Sequence, residues 1–228
     1  SDKKDRPGNI GVPALGVTLK LVPQEGKLEA RLKSPSITPG YWRNPALTEA
    51  AFDEEGFYKL GDALRYAVPG DPSAGFIFDG RLAENFKLAT GTWVAVGALR
   101  AALVNAMGGL ISDAVIAGEE KNDLRALVVP NWVALRELAG GAEDALAHPA
   151  VQAALSERLS AHARTATGSA TRVVAARVLE EPLSFDLGEV TDKGSVNQRA
   201  VLRERADLAA SLWSGGPKVI LADWKGRT

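Results

Sequence analysis

Three short runs in this chain pair residue types that can do chemistry. Asp62 follows Gly61, Arg81 follows Gly80, and much later Lys193 stands between Asp192 and Gly194. A carboxylate held just after a glycine can accept hydrogen bonds from two vicinal hydroxyls, while the missing side chain lets a ligand approach the backbone. Gly61-Asp62 also ends a longer pattern, residues 40–62 (GYWRNPALTEAAFDEEGFYKLGD). It couples a Gly-aromatic turn, a short amphipathic helix over 45–52 and a second turn at Glu55-Gly56 to Tyr58-Lys59-Leu60-Gly61-Asp62. Together these parts read as one edge of a nucleotide site with Asp62 as a ribose clasp. On local sequence alone Asp62 is a turn residue, Arg81 a solvated charge and Lys193 an isolated loop lysine.

The elements that must position these residues fall into two groups. Residues 17–22 (VTLKLV) and 27–33 (KLEARLK) alternate apolar and polar side chains around Pro23-Gln24-Glu25-Gly26, which predicts an antiparallel hairpin. Two further strands are expected over 63–68 and 75–79, around a Pro-Gly-Asp-Pro loop whose prolines interrupt pairing. The sum is a small distorted β-barrel or sheet. From there the period changes. Residues 85–89 read as a strand, and Leu99, Leu103 and Met107 recur at helical spacing before a Gly108-Gly109 stop. Residues 114–117, 126–129 and 171–179 read as strands, and helices are expected from Pro149 and over 198–212. The fold class is therefore α+β: a small antiparallel β-subdomain, then a compact α/β domain with helices on a three-stranded sheet. Residues 131–148 read as an alanine-rich insertion broken by Gly140-Gly141, and 214–228 as an edge strand or a frayed tail.

Composition narrows the chemistry. The 228 residues carry 27 basic and 28 acidic side chains, a net charge of −1, so no global field draws the chain to nucleic acid or an anionic membrane. With no cysteine there is no disulfide, thiolate metal site or cysteine nucleophile, which suits a cytoplasmic protein. The histidines, His148 and His162, make no zinc cluster. No apolar run approaches the roughly 20 residues of a membrane span, and the polar start SDKKDRPGN is not a signal peptide.

The order of motifs resembles the adenylate-forming superfamily of acyl-CoA synthetases, luciferases and peptide-synthetase adenylation domains. The matching pieces are Gly11-Val12-Pro13 with Gly16, the 40–62 run, Gly80-Arg81 through Gly91, and Lys193. FDGRLAENFKLATGTWV and EVTDKGSVNQRAVL look most like feruloyl-CoA synthase and related aryl-CoA ligases. The family's Ser/Thr/Gly-rich phosphate loop, aromatic acyl-pocket strand and Thr-Glu metal-binding turn are not in the sequence, so the chain reads as a C-terminal fragment. Its expected parts are 1–81, the β-subdomain of the large adenylating domain, and 82–228, the lid.

The resemblance implies a role for each candidate. Asp62 would hold the ribose, and Arg81, a planar permanent charge, would reach ribose and phosphate. The family commonly has Thr where Leu60 stands here, which removes a hydroxyl contact to phosphate. The hinge between lid orientations falls on Leu82, Ala83 and Glu84, where the family usually has Asp or Lys in place of Ala83. Lys87 and Gly91 match a Lys-x-x-x-Gly continuation, with Lys87 a supporting residue or an exposed strand lysine. Thr90, Gly91, Thr92 and Trp93 would line the pantetheine tunnel, Trp93 reading equally as core filling. Lys193 would be the catalytic lysine bridging the acyl carboxylate and the α-phosphate.

The function implied is ATP-dependent carboxylate:CoA ligation with an aromatic or cinnamic-type acid such as ferulate, using ATP, Mg2+ and CoA; the fragment alone would be inactive. Two rival classes stand beside it. One is a non-catalytic interaction module of the same fold. The other is an adenylating oxidase or an enzyme loading a carrier protein, distinguished by its acceptor.

Overall fold

The computed structural model describes residues 8–24, 26–216 and 218–224, which divide into two compact units between Asn85 and Phe86.

In the first unit, strands β1 (Asn9–Gly11), β2 (Thr18–Gln24) and β3 (Lys27–Lys33) precede helix α1 (Pro45–Ala51), and β4 (Tyr58–Val68) and β5 (Asp71–Arg81) follow it. The five strands form one antiparallel sheet in the order β1-β5-β4-β3-β2. The expected hairpin is present in unbroken register from Thr18↔Lys33 to Gln24↔Lys27; Glu25 of its turn lies outside the described residues. Alternation places Ala30, Leu64 and Phe76 in the core, with Leu19, Leu21, Leu60 and Tyr66 packed against them.

One expectation is met in part. Both strands run to 11 residues and meet at Val68↔Asp71, longer than expected, but pairing is interrupted beside the prolines: the register shifts between Tyr66↔Phe76 and Val68↔Asp71, so Pro72 to Gly75 of β5 oppose Ala67 alone. Gly70, with φ 77°, turns the chain, so Pro69 lies in the turn and needs no ladder donor.

Helix α1 starts where Asn44 accepts the Leu47 N–H through its side chain, with Pro45 in the first turn. The chain then re-enters the sheet through a clamp on Asp53. Its carboxylate accepts the N–H groups of Glu55 and Phe57 and pairs with Lys20 (3.0 Å) and Arg31 (3.1 Å). Burial alone pushes the Asp53 carboxyl up. The Phe57 N–H and the two cations outweigh it and hold the group far below the usual carboxylate range. This turn delivers β4, which carries Asp62.

The second unit contains β6 (Phe86–Lys87), β7 (Trp93–Val94), α2 (Val96–Ala106), β8 (Ile111–Ala117), β9 (Leu124–Pro130), α3 (Trp132–Leu138), α4 (Pro149–Thr165), β10 (Val173–Val178), α5 (Gln198–Glu204), α6 (Ala206–Ser214) and β11 (Val219–Leu221). The central sheet has four strands rather than the expected three, in the order β11-β10-β9-β8. Its β9–β10 pair is parallel and the other two antiparallel; the short tail strand β11 supplies the extra edge. The strand expected over 85–89 is reduced to Phe86–Lys87, paired with Trp93–Val94.

Both faces of this sheet are covered. Ala114, Ile116, Ala126 and Val128 pack with Leu99, Leu103, Leu155 and Leu159 of α2 and α4, while Val115, Ala117 and Leu127 pack with Val201 and Leu212 of α5 and α6. Segment 131–148 is part of the first of these cores, since Leu135, Ala139 and Ala145 are buried in it. The helix expected over 198–212 is broken at Arg205, which leaves helical geometry (φ −113°, ψ 38°).

Candidate functional site

Asp62 and Arg81 are brought together on neighbouring strands. They are register partners, and Nε of Arg81 lies 3.3 Å from Oδ1 of Asp62. Both strands are irregular at this point. On one side, Glu29↔Ala63 is followed by Arg31↔Lys59, so β4 carries two more residues than β3 across Leu60-Gly61-Asp62. On the other, Asp62↔Arg81 is followed by Leu64↔Phe78, so β5 carries one extra residue around Asp79-Gly80. Bulges of this kind re-aim side chains, and each here contains a glycine in the left-handed region, Gly61 at φ 71° and Gly80 at φ 91°. Lys27 pairs with the Asp79 carboxylate at 3.2 Å and also donates to its carbonyl, which fastens the β5 bulge. The Arg81 side chain remains 62% exposed and Asp62 27%, an acceptor and a fixed cation side by side at the surface of the first unit.

Leu82, Ala83 and Glu84 form one 3-10 turn after Arg81, closed by the Asn85 N–H on the Leu82 carbonyl at 3.0 Å. None of the three is buried.

Thr90, Gly91, Thr92, Trp93 and Lys87 lie together on the β6–β7 hairpin. Leu88 donates to the Thr92 carbonyl (3.0 Å) and accepts from Gly91 N–H (2.8 Å), which leaves Ala89, Thr90 and Gly91 as the loop. The Thr90 and Thr92 hydroxyls are 3.0 Å apart, and Lys87 Nζ sits 4.8 Å from the Trp93 ring centroid. Gly91 has φ 79°, and a Cβ on it would meet nothing within 4 Å. Its glycine is therefore required by backbone conformation; within this unit no neighbour crowds it.

Lys193 occupies the same kind of loop. Thr191 donates to the Ser195 carbonyl (2.9 Å) and accepts from Gly194 N–H (2.8 Å), leaving Asp192, Lys193 and Gly194 at the tip, with Gly194 at φ 77°. Three-residue hairpin loops with a left-handed glycine are a favoured geometry, which explains Gly194. The Thr191 and Ser195 hydroxyls are 2.7 Å apart, and Lys193 is exposed.

Sequence reasoning missed the residues that hold this hairpin. Glu189, fully buried, accepts from Arg205 Nε (2.7 Å) and Nη2 (2.9 Å) and from the Ser184 N–H (2.7 Å). The Arg205 hydrogen bonds outweigh burial and hold the Glu189 carboxyl below its ordinary range. Gln198, at the start of α5, accepts the Ile116 N–H at 2.9 Å, and Arg100, paired with Asp113 at 2.5 Å, also reaches the Val196 carbonyl. The available signal was a lone Glu in a turn-rich stretch followed by an Arg-rich helix, and no local pattern links them across 16 residues.

Among the described residues no group of His, Asp or Glu is arranged to hold a metal ion, and no helix is long and apolar enough to cross a membrane.

No protein-family model matches the chain. Individual relatives do. A carboxylic acid reductase from Segniliparus rugosus is 30% identical over 207 residues, covering 90% of this chain and 16% of that protein. An acyl-CoA ligase from Aspergillus oryzae is 38% identical over 78 residues, 34% of this chain and 13% of the ligase. Among solved structures, the A domain of the Segniliparus rugosus carboxylic acid reductase, in complex with AMP and a co-purified carboxylic acid, superposes with a TM-score of 0.67 at 26% identity. The match covers 89% of this chain and 32% of that domain. The chain thus spans a small part of the length of its relatives. By sequence and by fold it belongs to the adenylate-forming acyl-CoA ligase superfamily, with the architecture of the C-terminal domain of those enzymes.

Proposed function

We propose that this chain is the C-terminal part of an ATP-dependent carboxylate:CoA ligase acting on an aromatic or cinnamic-type acid such as ferulate. The observation that carries the ligase reading is the match to an adenylation domain over 89% of the chain. The aromatic specificity rests on the likeness of FDGRLAENFKLATGTWV and EVTDKGSVNQRAVL to feruloyl-CoA synthase-type ligases.

In this reading the acid's carboxylate oxygen attacks the α-phosphorus of ATP, forming acyl-adenylate and expelling pyrophosphate; Mg2+, for which the described residues offer no ligand cluster, would neutralise phosphate charge when bound. Asp62 accepts the ribose hydroxyls, and Arg81, held 3.3 Å from it, supplies fixed positive charge to the nucleotide. Lys193, a compact charge on a flexible stem at an exposed hairpin tip, neutralises the oxyanions as the acyl–phosphate bond forms. The CoA thiolate then attacks the acyl carbon and AMP leaves. Rotation at Leu82, Ala83 and Glu84 exchanges the Lys193 hairpin for the Gly91 hairpin, whose Thr90, Gly91, Thr92 and Trp93 line the thiol path with Lys87 in support.

A second reading is favoured by the similarity to carboxylic acid reductases over 90% of the chain: the acceptor is the phosphopantetheine thiol of a carrier protein instead of CoA. The intact enzyme carrying this chain decides the matter. Acid-dependent pyrophosphate exchange followed by AMP release on adding CoA supports the ligase. AMP release only with a phosphopantetheinylated carrier supports the second reading, and no acid-dependent exchange with any aryl or alkyl acid overturns both. The 228-residue chain alone is expected to release no pyrophosphate above background.

A further inference from the structure

The segment from Glu181 to Asn197, between β10 and α5, contains no named helix or strand, only the isolated bridge Val190↔Val196. A connection of this length needs internal ties to hold one conformation. Apolar burial supplies only part of that here. Val196 is buried in the second core and Leu183 packs against it, but Phe185 and Leu187 are 68% and 52% exposed. The fully buried side chain of the segment is a carboxylate, Glu189.

Every part of Glu189 is used. One carboxylate oxygen meets Arg205 Nε, and the other meets Arg205 Nη2 and the Ser184 N–H. Its own N–H donates to Ser184 (3.0 Å), and its carbonyl accepts the Asn197 N–H (2.8 Å), which closes the base of the Lys193 hairpin. Arg205 completes the strap by donating to the carbonyls of Glu181 (3.2 Å) and Pro182 (2.7 Å). A planar fork with several donors is needed to do this from one position, and Arg205 reaches it from the break between α5 and α6. Neither half of the pair belongs to the two apolar clusters that hold the sheet and its helices.

We propose that the buried Glu189–Arg205 pair is the positioning element for Lys193, ordering the hairpin that presents the lysine without being needed for the folding of the sheet. This role rests on the reading of Lys193 as the adenylation lysine. Buried ion pairs contribute little net stability against apolar replacements, yet losing one partner strands a charge; their use here is to select one loop conformation.

The test has two arms, run on Glu189→Gln and Arg205→Lys. Gln keeps the shape and removes the charge, and Lys keeps the charge and removes the fork, so one remains informative if the other fails to fold. In the 228-residue chain, amide hydrogen exchange at Gly194 and Asn197 is expected to quicken about tenfold or more, while Leu127 and Val128 in β9 stay protected. In the intact enzyme, pyrophosphate exchange is expected to fall in kcat with little change in KM for ATP, while thioester formation from preformed acyl-adenylate persists. Lys193→Ala is run beside them. If Lys193→Ala abolishes pyrophosphate exchange and the other variants do not, or if their hairpin amides exchange as in the unaltered chain, the positioning role falls alone. Unimpaired exchange in Lys193→Ala overturns the lysine reading, and the positioning role with it.

Discussion

Asp62 and Arg81 face each other from adjacent strands, Nε to Oδ1 at 3.3 Å, and each follows a glycine whose positive φ bends its strand at that point. The pair is thus set by two bulges in register, one on β4 and one on β5. In the intact enzyme Asp62→Ala is expected to raise KM for ATP about tenfold or more, the cost of losing hydrogen bonds to a charged acceptor, with KM for the thiol unchanged. A uniform loss in both constants would speak against a ribose contact.

Gly61→Ala tests the bulge itself. A Cβ at Gly61 would meet nothing within 4 Å, so the cost is the left-handed backbone alone, φ 71°. Urea unfolding of the 228-residue chain should show a loss of about 1–2 kcal/mol. Unchanged stability would mean the β4 bulge relaxes without strain.

Lys193→Ala should slow adenylation about 10²–10³-fold, the usual cost of removing one preorganised charge aimed at a developing oxyanion, and spare thioester formation. Gly91→Trp should do the reverse. Because Gly91 has φ 79°, Gly91→Ala is the control that isolates backbone strain from bulk. Equal impairment of both half-reactions by Lys193→Ala and Gly91→Trp would rule out two alternating faces.

His162, buried on α4 with no hydrogen-bond partner at Nε2, has its pKa lowered from 6.5 by burial. The unfolded imidazole therefore takes a proton that the folded one refuses. Stability is full above pH 6.5 and is lost as pH falls below it toward the folded value, at up to about 1.4 kcal/mol per pH unit. His162→Leu should flatten that limb of a pH-dependent melting curve. An unaltered slope would place the acid sensitivity elsewhere.

Much of this was legible from local pattern. The alternation in VTLKLV and KLEARLK gave the β2–β3 hairpin, and the four-residue spacing of Leu99, Leu103 and Met107 gave α2, because Leu19, Leu21 and Ala30 meet in one core and Leu99, Leu103 and Met107 in another. What was not legible depends on partners distant in sequence. Arg205 is a good helix former, so nothing nearby announces the break at it, where its side chain pairs with Glu189, 16 residues earlier. Pro69 and Pro72 mark the interruption but not the strand ends: Pro69 lies in the turn, where it obstructs no ladder, and Pro72 falls in the irregular stretch of β5 before pairing resumes at Tyr66↔Phe76. The fourth strand of the second unit's sheet was one of two readings of the tail, and at three residues it is too short for its period to decide between them. At the candidate site, residue types were readable, while the double bulge and the matched hairpin loops required the pairing registers.

The Gln198 side chain, bonded to the Ile116 N–H, has a consequence for how the second unit behaves in concentrated solution. Strand β8 lies at the rim of its sheet, where a row of free amides would invite an added strand from another molecule. The carboxamide stands where that strand's carbonyl would dock, and Gln198 is itself buried, fixed at the start of α5. The Ala114 N–H, two residues back, is likewise taken by Asp113 Oδ1, so an incoming chain would have to displace both side chains to pair along this stretch of the rim.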